Sequence, residues 1–278
     1  MRVVIAHGHM FKNAGSTFDW SLERNFGDDF LDHRDDKVMR QRGDKHILEL
    51  LSEHPDLKAI SSHHLYQPLP DVDDIHFEPV FMLRHPIERI ASVYAFERQQ
   101  DAETRGAKAA KSMNFRRYIA WRMQLTVPRT VRDYQTYYMG GRPVYEAKSA
   151  VSFRTLNSAV ENLSNLSCVG VVDRYDESMV VFETVLRTFF PDIDLSYIKQ
   201  NVTKQRLGKK VDLESKVDDV LKRLGKHRSE ILSNNSYDLC LYRAANQKLT
   251  EAIAGIADFD TRLGDFYRRC ERLQGSKA

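Results

Sequence analysis

Short apolar runs alternate with amphipathic stretches along the first two-thirds of the chain. The apolar runs have the length and composition of buried strands and lie at residues 2–7, 57–62, 79–83 and 167–172. Periodic stretches between them predict helices at residues 15–26, 44–54, 86–98, 152–163 and 176–190, and Pro191 stops the last one. This alternation predicts a parallel β-sheet covered by helices.

Three polar stretches interrupt the pattern and predict loops, at residues 25–42, 99–111 and 134–143. Beyond Asn201 the pattern is helical to the end, with breaks near Gly208, Gly225 and residues 233–236. We therefore expect an α/β fold, a three-layer sandwich around a central parallel sheet. The length favours a single domain, 1–278, with an α/β nucleotide-binding core at 1–200 and a helical C-terminal extension at 201–278.

Composition narrows the function classes. The chain has 42 Lys and Arg against 39 Asp and Glu, and these basic residues are scattered, so no nucleic-acid-binding track is indicated. Three cysteines without a CxxC pair favour a reducing compartment over a disulfide framework or a zinc site. With no leader-like start and no transmembrane segment, we expect a cytoplasmic protein, or one of the Golgi lumen if a membrane anchor precedes this chain.

A turn rich in hydrogen-bond donors follows the first predicted strand. Free N–H groups at a helix start attract phosphate, Gly15 lets the backbone approach an anion, and Ser16 and Thr17 add hydroxyl donors. Lys12 would lie beside that anion. Because Lys12 precedes the glycine, whereas a Walker A lysine follows its second glycine, a standard ATP-binding loop is disfavoured. The plain alternative is a turn with a capping residue.

A second polar group follows the strand predicted at 79–83. Arg84 emerges at the carboxyl end of this strand, where open α/β sheets bind ligands. Pro86 suits the first position of the next helix, and Ser92 lies within two turns of its start. A forked guanidinium and a hydroxyl there can hold a second phosphate. The alternative is an ordinary surface ion pair of Arg84 or Arg89.

Together these segments resemble sulfotransferases that use 3′-phosphoadenosine 5′-phosphosulfate (PAPS), in particular the carbohydrate group that includes the heparan sulfate 2-O-sulfotransferases. The family's 5′-phosphosulfate loop, PKTAGTS, is similar to Phe11-Lys12-Asn13-Ala14-Gly15-Ser16-Thr17. Its 3′-phosphate motif, RDPVERFxSxY, is similar to RHPIERIASVY at 84–94, and GLTERFDES is similar to residues 169–178. Phe11, Asn13 and His85 replace the family's proline, threonine and aspartate. The likeness spans 5–178 and fades beyond Asn201.

The resemblance implies a P-loop-like nucleotide site and a set of roles. Lys12 would stabilise the charge that grows on the bridging oxygen of the departing phosphate. His63 matches the histidine of a segment like ITGH that serves as the catalytic base, with His64 as the alternative, since adjacent strand residues point to opposite faces. PAPS would be held by Lys12, Asn13, Ala14, Gly15, Ser16, Thr17, Arg84 and Ser92. His7 and His9 flank the loop, either contacting substrate or merely ending the strand.

Other segments leave alternatives open. The basic loop at 199–210, with Lys204 and Arg206, either closes over the nucleotide or is a solvated charge run. The acidic stretch at 28–36 lacks the spacing of an EF-hand, so no metal is expected. Basic and aromatic side chains either line a cleft for an acidic sugar or form an exposed cationic face: Arg116, Arg117, Trp121, Arg122, Arg129 and Arg132.

We therefore expect transfer of a sulfuryl group to a hydroxyl, of a glycan or glycoconjugate in the first place. The acceptor's identity, the position sulfated and the oligomeric state stay open. One rival is a nucleotide-dependent kinase of related fold, which would bind ATP with magnesium. The other is a non-catalytic polyanion-binding module, which would bind without turnover.

Overall fold

The structure, a computed structural model, describes residues 1–141, 151–198 and 212–275. The strands are β1 (Arg2–Gly8), β2 (Phe30–His33), β3 (Ala59–Ser62), β4 (Ile75–Leu83) and β5 (Cys168–Val171). The helices are α1 (Gly15–Phe26), α2 (Asp36–Arg42), α3 (Asp44–Glu53), α4 (Pro86–Gln99), α5 (Arg105–Ser112), α6 (Phe115–Arg122), α7 (Tyr134–Met139), α8 (Phe153–Asn165), α9 (Tyr175–Leu186), α10 (Leu213–Leu224), α11 (Arg228–Ser233), α12 (Ser236–Ala254) and α13 (Phe259–Gly275).

The five strands form one parallel sheet in the order β2-β3-β1-β4-β5. β1 lies in the middle, with Ala6 paired to Ile60 of β3 and to Pro79 of β4. Parallel strands in the middle of a sheet are covered on both faces, which is why β1 reads as a continuous apolar run. The predicted α/β fold with a parallel sheet is confirmed.

The chain forms two compact units. Unit 1 consists of Met1–Leu83, Glu161–Lys204 and Ala244–Ala278, and unit 2 of Arg84–Val160 and Gln205–Arg243. Unit 1 contains the whole sheet together with α1, α2, α3, α9 and α13. The C-terminal helices are divided between the two units, and the single domain at 1–278 stays a prediction.

Helices cover both faces of the sheet within unit 1. On one face, side chains of β1, β3, α2 and α3 form a hydrophobic cluster that includes Val4, Ala6, Ile60, Met39, Ile47 and Leu51. On the other face, the ring of Phe18 on α1 lies 4.8 Å from the ring of His7 and 6.0 Å from that of Phe182 on α9. These layers are consistent with a three-layer sandwich.

Three predicted loops are wrong in part. The stretch at 25–42 contains strand β2 and helix α2, the stretch at 99–111 contains the start of α5, and the stretch at 134–143 contains α7. α2 and α5 begin with side-chain caps, because Asp35 accepts hydrogen bonds from the N–H groups of Lys37 and Val38, and Thr104 accepts one from Ala107. The predicted breaks at Gly225 and at 233–236 are confirmed, and the one at Gly208 lies outside the described residues.

Two buried aspartates lie at the start of α7 in unit 2: Asp133, which precedes the helix, and Asp238 of α12. The carboxylate of Asp238 accepts the N–H groups of Gln135 (3.1 Å) and Thr136 (2.7 Å), and Oδ1 of Asp133 accepts the N–H of Asp238 at 2.9 Å. Burial, and then the charge of Asp238, raise the pKa of Asp133 to about 8. At neutral pH this carboxyl therefore resists ionisation in the folded protein.

We expect Asp133→Asn to raise the free energy of unfolding at pH 7.5 by about 1–3 kcal/mol. The unfolded aspartate ionises near its ordinary pKa, so stability in the parent falls as pH rises from about 4 towards 8, whereas asparagine keeps the acceptor and never ionises. Urea denaturation at pH 4.5 and 7.5 measures the difference, which should shrink at the lower pH. The exposed Asp101→Asn is the control, and equal destabilisation by Asp133→Asn at both pH values would contradict this expectation.

Candidate functional site

Polar side chains gather where β1, β2 and β3 end. His9 follows β1, His33 and Arg34 close β2, and His63 and His64 follow β3. Because these strands are parallel and adjacent, their carboxyl ends meet at one edge of the sheet, the place where open α/β sheets bind ligands. The turn between β1 and α1 lies at this same edge.

That turn has an unusual backbone. Lys12 and Ala14 both adopt left-handed conformations, with φ of 65° and 62°. Asn13 between them donates its N–H to the carbonyl of Met10 at 3.1 Å and its side-chain amide to the carbonyl of Met82 on β4 at 2.7 Å. The turn is therefore tied to the sheet, and its strain, of order 1 kcal/mol for each left-handed residue, is of the kind found at functional sites.

Helix α1 begins directly after this turn without a side-chain cap. The N–H of Thr17 donates to the carbonyl of Ala14 at 3.1 Å, while Ser16 is exposed and Lys12 half-buried. An uncapped helix start carries N–H groups and a positive dipole end that suit an anion. The side chain of Asn13, by contrast, stabilises the fold, because its amide donates a hydrogen bond to β4.

Gly15 has a steric reason to be glycine. A Cβ atom at this position would lie 2.3 Å from Cδ2 and 2.4 Å from Nε2 of His9, far inside van der Waals contact. The imidazole of His9 therefore lies directly against the first residue of α1. The sequence pattern predicted close approach of an anion at this glycine and carried no signal for the ring.

A buried carboxylate binds both histidines of β1. Oδ1 of Asp19 on α1 lies 2.7 Å from Nδ1 of His7, and Oδ2 lies 2.7 Å from Nδ1 of His9 and 2.6 Å from the guanidinium of Arg34. Burial acts to raise the pKa of Asp19, but the charge and hydrogen bond of His7 and then those of His9 outweigh it and hold this pKa well below its ordinary value. Nδ1 of His7 is also 3.0 Å from the hydroxyl of Ser61.

His63 and His64 differ in what their rings contact. Nδ1 of His63 lies 2.8 Å from the carbonyl oxygen of His9, and the two imidazole rings meet edge to face at 4.8 Å. His64 is buried, with Nδ1 2.9 Å from the hydroxyl of Tyr66 and Nε2 3.3 Å from Asp36. Burial lowers the pKa of His63 to about 4. Both nitrogens of His64 thus face protein groups, Nδ1 through a hydrogen bond and Nε2 at ion-pair distance from Asp36. In the described part of the chain, Nε2 of His63 faces no such group.

Arg84 and Ser92 belong to unit 2. Nε and Nη2 of Arg84 donate to the two carboxylate oxygens of Glu88, one turn along α4, and its backbone exchanges hydrogen bonds with the side chain of Gln135 (2.8 and 2.9 Å). Burial acts to raise the pKa of Glu88, but the hydrogen bond and charge of Arg84 outweigh it and lower that pKa. Ser92 is half-buried on α4.

The remaining residues singled out in the sequence differ in exposure, and two of them are not described by the structure. Lys204 and Arg206 lie outside the described residues. Among the basic residues expected to line an acidic-sugar cleft or to form an exposed cationic face, only Arg116 and Arg117 are exposed. The other three are buried and can do neither: Arg122, Arg129 and Arg132. None of the helices in the described ranges has the length and apolar character needed to span a bilayer.

One group in the described ranges has ligand atoms close enough for a metal ion: His7, His9 and Asp19, within 4.8 Å of one another. The nitrogen–oxygen distances of 2.7 Å fit hydrogen bonds, and the guanidinium of Arg34 already binds the carboxylate oxygen that a cation would need. The group therefore suits an internal ion-pair network better than a metal centre.

No family model matches the chain. An uncharacterized protein of Archaeoglobus fulgidus is 29% identical over 246 residues, which is 87% of this chain and 95% of that protein.

Proposed function

We propose that this protein is a sulfotransferase that moves a sulfuryl group from PAPS to a hydroxyl, in the first place of a glycan or glycoconjugate. One observation carries the proposal: a strained turn bearing Lys12 leads into an uncapped helix start at the carboxyl edge of the parallel sheet. A helix start of this kind binds anionic groups. In this proposal the turn is the P-loop-like part of the nucleotide site.

The 5′-phosphosulfate is assigned to the turn. The backbone N–H groups at Ala14, Gly15, Ser16 and Thr17 would contact the phosphate oxygens, and the Lys12 ammonium would lie beside the oxygen that bridges phosphorus and sulfur. Asn13 takes a supporting part, because its amide anchors the turn to β4. No metal ion is needed where a fixed cation meets the developing charge.

The 3′-phosphate is assigned to Arg84 and Ser92, on the motif that follows β4. The guanidinium of Arg84 is held in a bidentate pair with Glu88, which keeps its fork extended along α4. A phosphate would compete with this carboxylate for the same donors, or take the outer edge of the guanidinium. Lys204 and Arg206 are proposed as further contacts to the nucleotide.

The transfer is an in-line displacement. The acceptor oxygen attacks sulfur, the bond between sulfur and the bridging oxygen breaks, and its electron pair stays on that oxygen, giving 3′-phosphoadenosine 5′-phosphate. The hydroxyl proton passes to a histidine. We assign it to Nε2 of His63 rather than to His64, because Nδ1 of His63 donates to a carbonyl and leaves Nε2 as the acceptor, whereas Asp36 and Tyr66 engage both nitrogens of His64.

Calorimetric titration tests the donor without knowledge of the acceptor. We expect 3′-phosphoadenosine 5′-phosphate to bind about 10- to 100-fold more tightly than adenosine 5′-phosphate in the presence of EDTA, since a guanidinium–phosphate hydrogen-bond pair contributes a few kcal/mol at most. Arg84→Ala should remove this preference and leave the affinity for adenosine 5′-phosphate unchanged.

Arg98→Ala, which removes an exposed arginine of α4, is the control and should keep the preference. Equal affinities for the two nucleotides would refute the sulfotransferase proposal. ATP binding that depends on magnesium would favour the kinase, and tight nucleotide binding without turnover on any hydroxyl acceptor would favour the binding module.

A further inference from the structure

Asp19 is the most heavily bonded carboxylate beside the turn. Its side chain is only 9% exposed, yet its two oxygens meet three partners, the rings of His7 and His9 and the guanidinium of Arg34. Burying a carboxylate costs free energy unless hydrogen bonds and opposite charges compensate for the lost hydration, and here these three partners supply both. The residues assigned to the transfer do not include Asp19.

The contacts of each ring favour one position for its proton. If Nδ1 of His9 had a lone pair, that lone pair would face a carboxylate oxygen at 2.7 Å, which is repulsive. With a proton on Nδ1, the contact becomes a hydrogen bond to a charged acceptor. Nη2 of Arg34 also lies 2.8 Å from Nδ1 of His9, but the carboxylates of Asp19 (2.6 Å) and Asp32 (2.5 Å) accept its two protons, so Nδ1 is not needed as an acceptor. The same reasoning applies to His7 and Oδ1. Asp19 therefore holds both rings as the Nδ1–H tautomer.

His9 contacts the ring of His63 through both its carbonyl oxygen and its own ring. Its carbonyl oxygen accepts Nδ1–H of His63 at 2.8 Å, and its ring packs on the edge of the His63 ring. The ring of His9 is itself clamped between Asp19 and Gly15, where no side chain would fit. The orientation of His63 thus depends on Asp19 through one intermediate residue.

We propose that Asp19 is a positioning residue for the transfer: through the ring of His9 it holds the ring of His63 in the orientation in which Nε2 accepts the proton of the acceptor hydroxyl. This inference rests on the proposed sulfotransferase function, and it assigns a role to a helix residue ten positions from His9 that touches neither nucleotide nor acceptor. Outer partners of metal-bound histidines typically contribute 10- to 100-fold to activity, and we expect a factor of the same order for Asp19.

The central test compares Asp19→Asn with Asp32→Asn. Asp32 is the matched control, because its exposed carboxylate also pairs with Arg34 but contacts neither histidine. An asparagine at position 19 offers one acceptor for two imidazole N–H groups, so at least one ring must change its tautomer. Long-range ¹H–¹⁵N NMR spectra of histidine-labelled protein report the tautomers directly.

We expect wild-type protein and Asp32→Asn to show Nδ1–H on His7, His9 and His63, and Asp19→Asn to lose this state at His7 or His9, while the carbonyl of His9 keeps Nδ1–H on His63. The rate of sulfate release from PAPS, with water as the acceptor, should fall about 10- to 100-fold in Asp19→Asn, with KM for PAPS nearly unchanged. In a His63→Ala background the same change should have little further effect, because a residue acting through His63 is not additive with it.

Four outcomes decide between the claims. Additive losses of activity from Asp19→Asn and His63→Ala would reduce Asp19 to a structural role. A wild-type spectrum with Nε2–H on His63 overturns the inference even if Asp19→Asn fails to fold. Stoichiometric metal in the purified protein that is lost in Asp19→Asn would replace the hydrogen-bond network by a metal centre. If the wild type fails to bind 3′-phosphoadenosine 5′-phosphate, the proposed function itself fails.

Discussion

Replacing Lys12 by methionine is expected to lower the rate of sulfuryl transfer about 10²- to 10³-fold, the usual cost of removing one group that stabilises charge in a transition state. Methionine keeps the length of the side chain and removes only the ammonium. The charge on the bridging oxygen grows as the sulfur–oxygen bond breaks, so the loss should fall on kcat. We expect the affinity for 3′-phosphoadenosine 5′-phosphate to drop less than tenfold.

Lys58→Met is the control for this experiment. Lys58 is exposed, precedes β3 and pairs with Asp29, so it removes one positive charge from unit 1 at a distance in sequence from the turn. Its kcat should match that of the wild type. A Lys12→Met variant that loses nucleotide affinity and keeps the kcat of the wild type would assign Lys12 to ground-state binding alone.

The sheet was predictable because its strands are buried on both faces and therefore apolar throughout. β1 and β5 emerge within a residue or two of their expected bounds, and α1 has the expected ones. β2 escaped prediction because its four residues, Phe30–His33, include only two apolar ones and lie among Asp and Arg. Its place at the edge of the sheet tolerates that composition.

Two helices were missed for a different reason. α5 buries Gly106, Ala107, Ala109 and Ala110, small residues whose pattern carries little hydrophobic signal. Every residue of α7 is buried, and three of the six are tyrosines, so this helix shows no polar face to reveal its period.

The candidate site was predictable only where chain neighbours form it. The turn from Lys12 to Thr17 could be found because its residues are contiguous, and the pair of Arg84 with Glu88 has the i, i+4 spacing that a helix allows, a signal available in the sequence. Asp19 gave no such signal. Its contacts with His7 and His9 depend on how α1 packs against β1, which no local spacing encodes.

A buried charge network in unit 2 leads to the second large effect. The carboxylate of Glu97 accepts hydrogen bonds from the hydroxyl of Tyr118 and the guanidinium of Arg122, and Arg122 also donates to the hydroxyls of Tyr118 (2.8 Å) and Thr130 (3.1 Å). Glu97 and Arg122 are 6% and 3% exposed. At Gly106 a Cβ atom would lie 2.3 Å from both members of the pair, so the pair occupies the space that a side chain there would need.

We expect Glu97→Gln to lower the free energy of unfolding by about 3–5 kcal/mol, because it leaves the guanidinium of Arg122 buried without its counter-charge. Urea denaturation of the variant measures the loss. The double variant Glu97→Gln, Arg122→Met should recover much of it, since the unpaired charge is then gone and methionine fills a similar volume.

The recovery distinguishes charge from packing. If Glu97 mattered only as a well-fitted side chain, the double variant would lose stability twice, once for each altered contact. If the uncompensated charge dominates, the double variant is more stable than Glu97→Gln alone. Since Arg122 also lies over the rings of Trp121 and Tyr118, at 4.7 and 5.4 Å, part of its contribution is cation–π attraction, and recovery should remain incomplete.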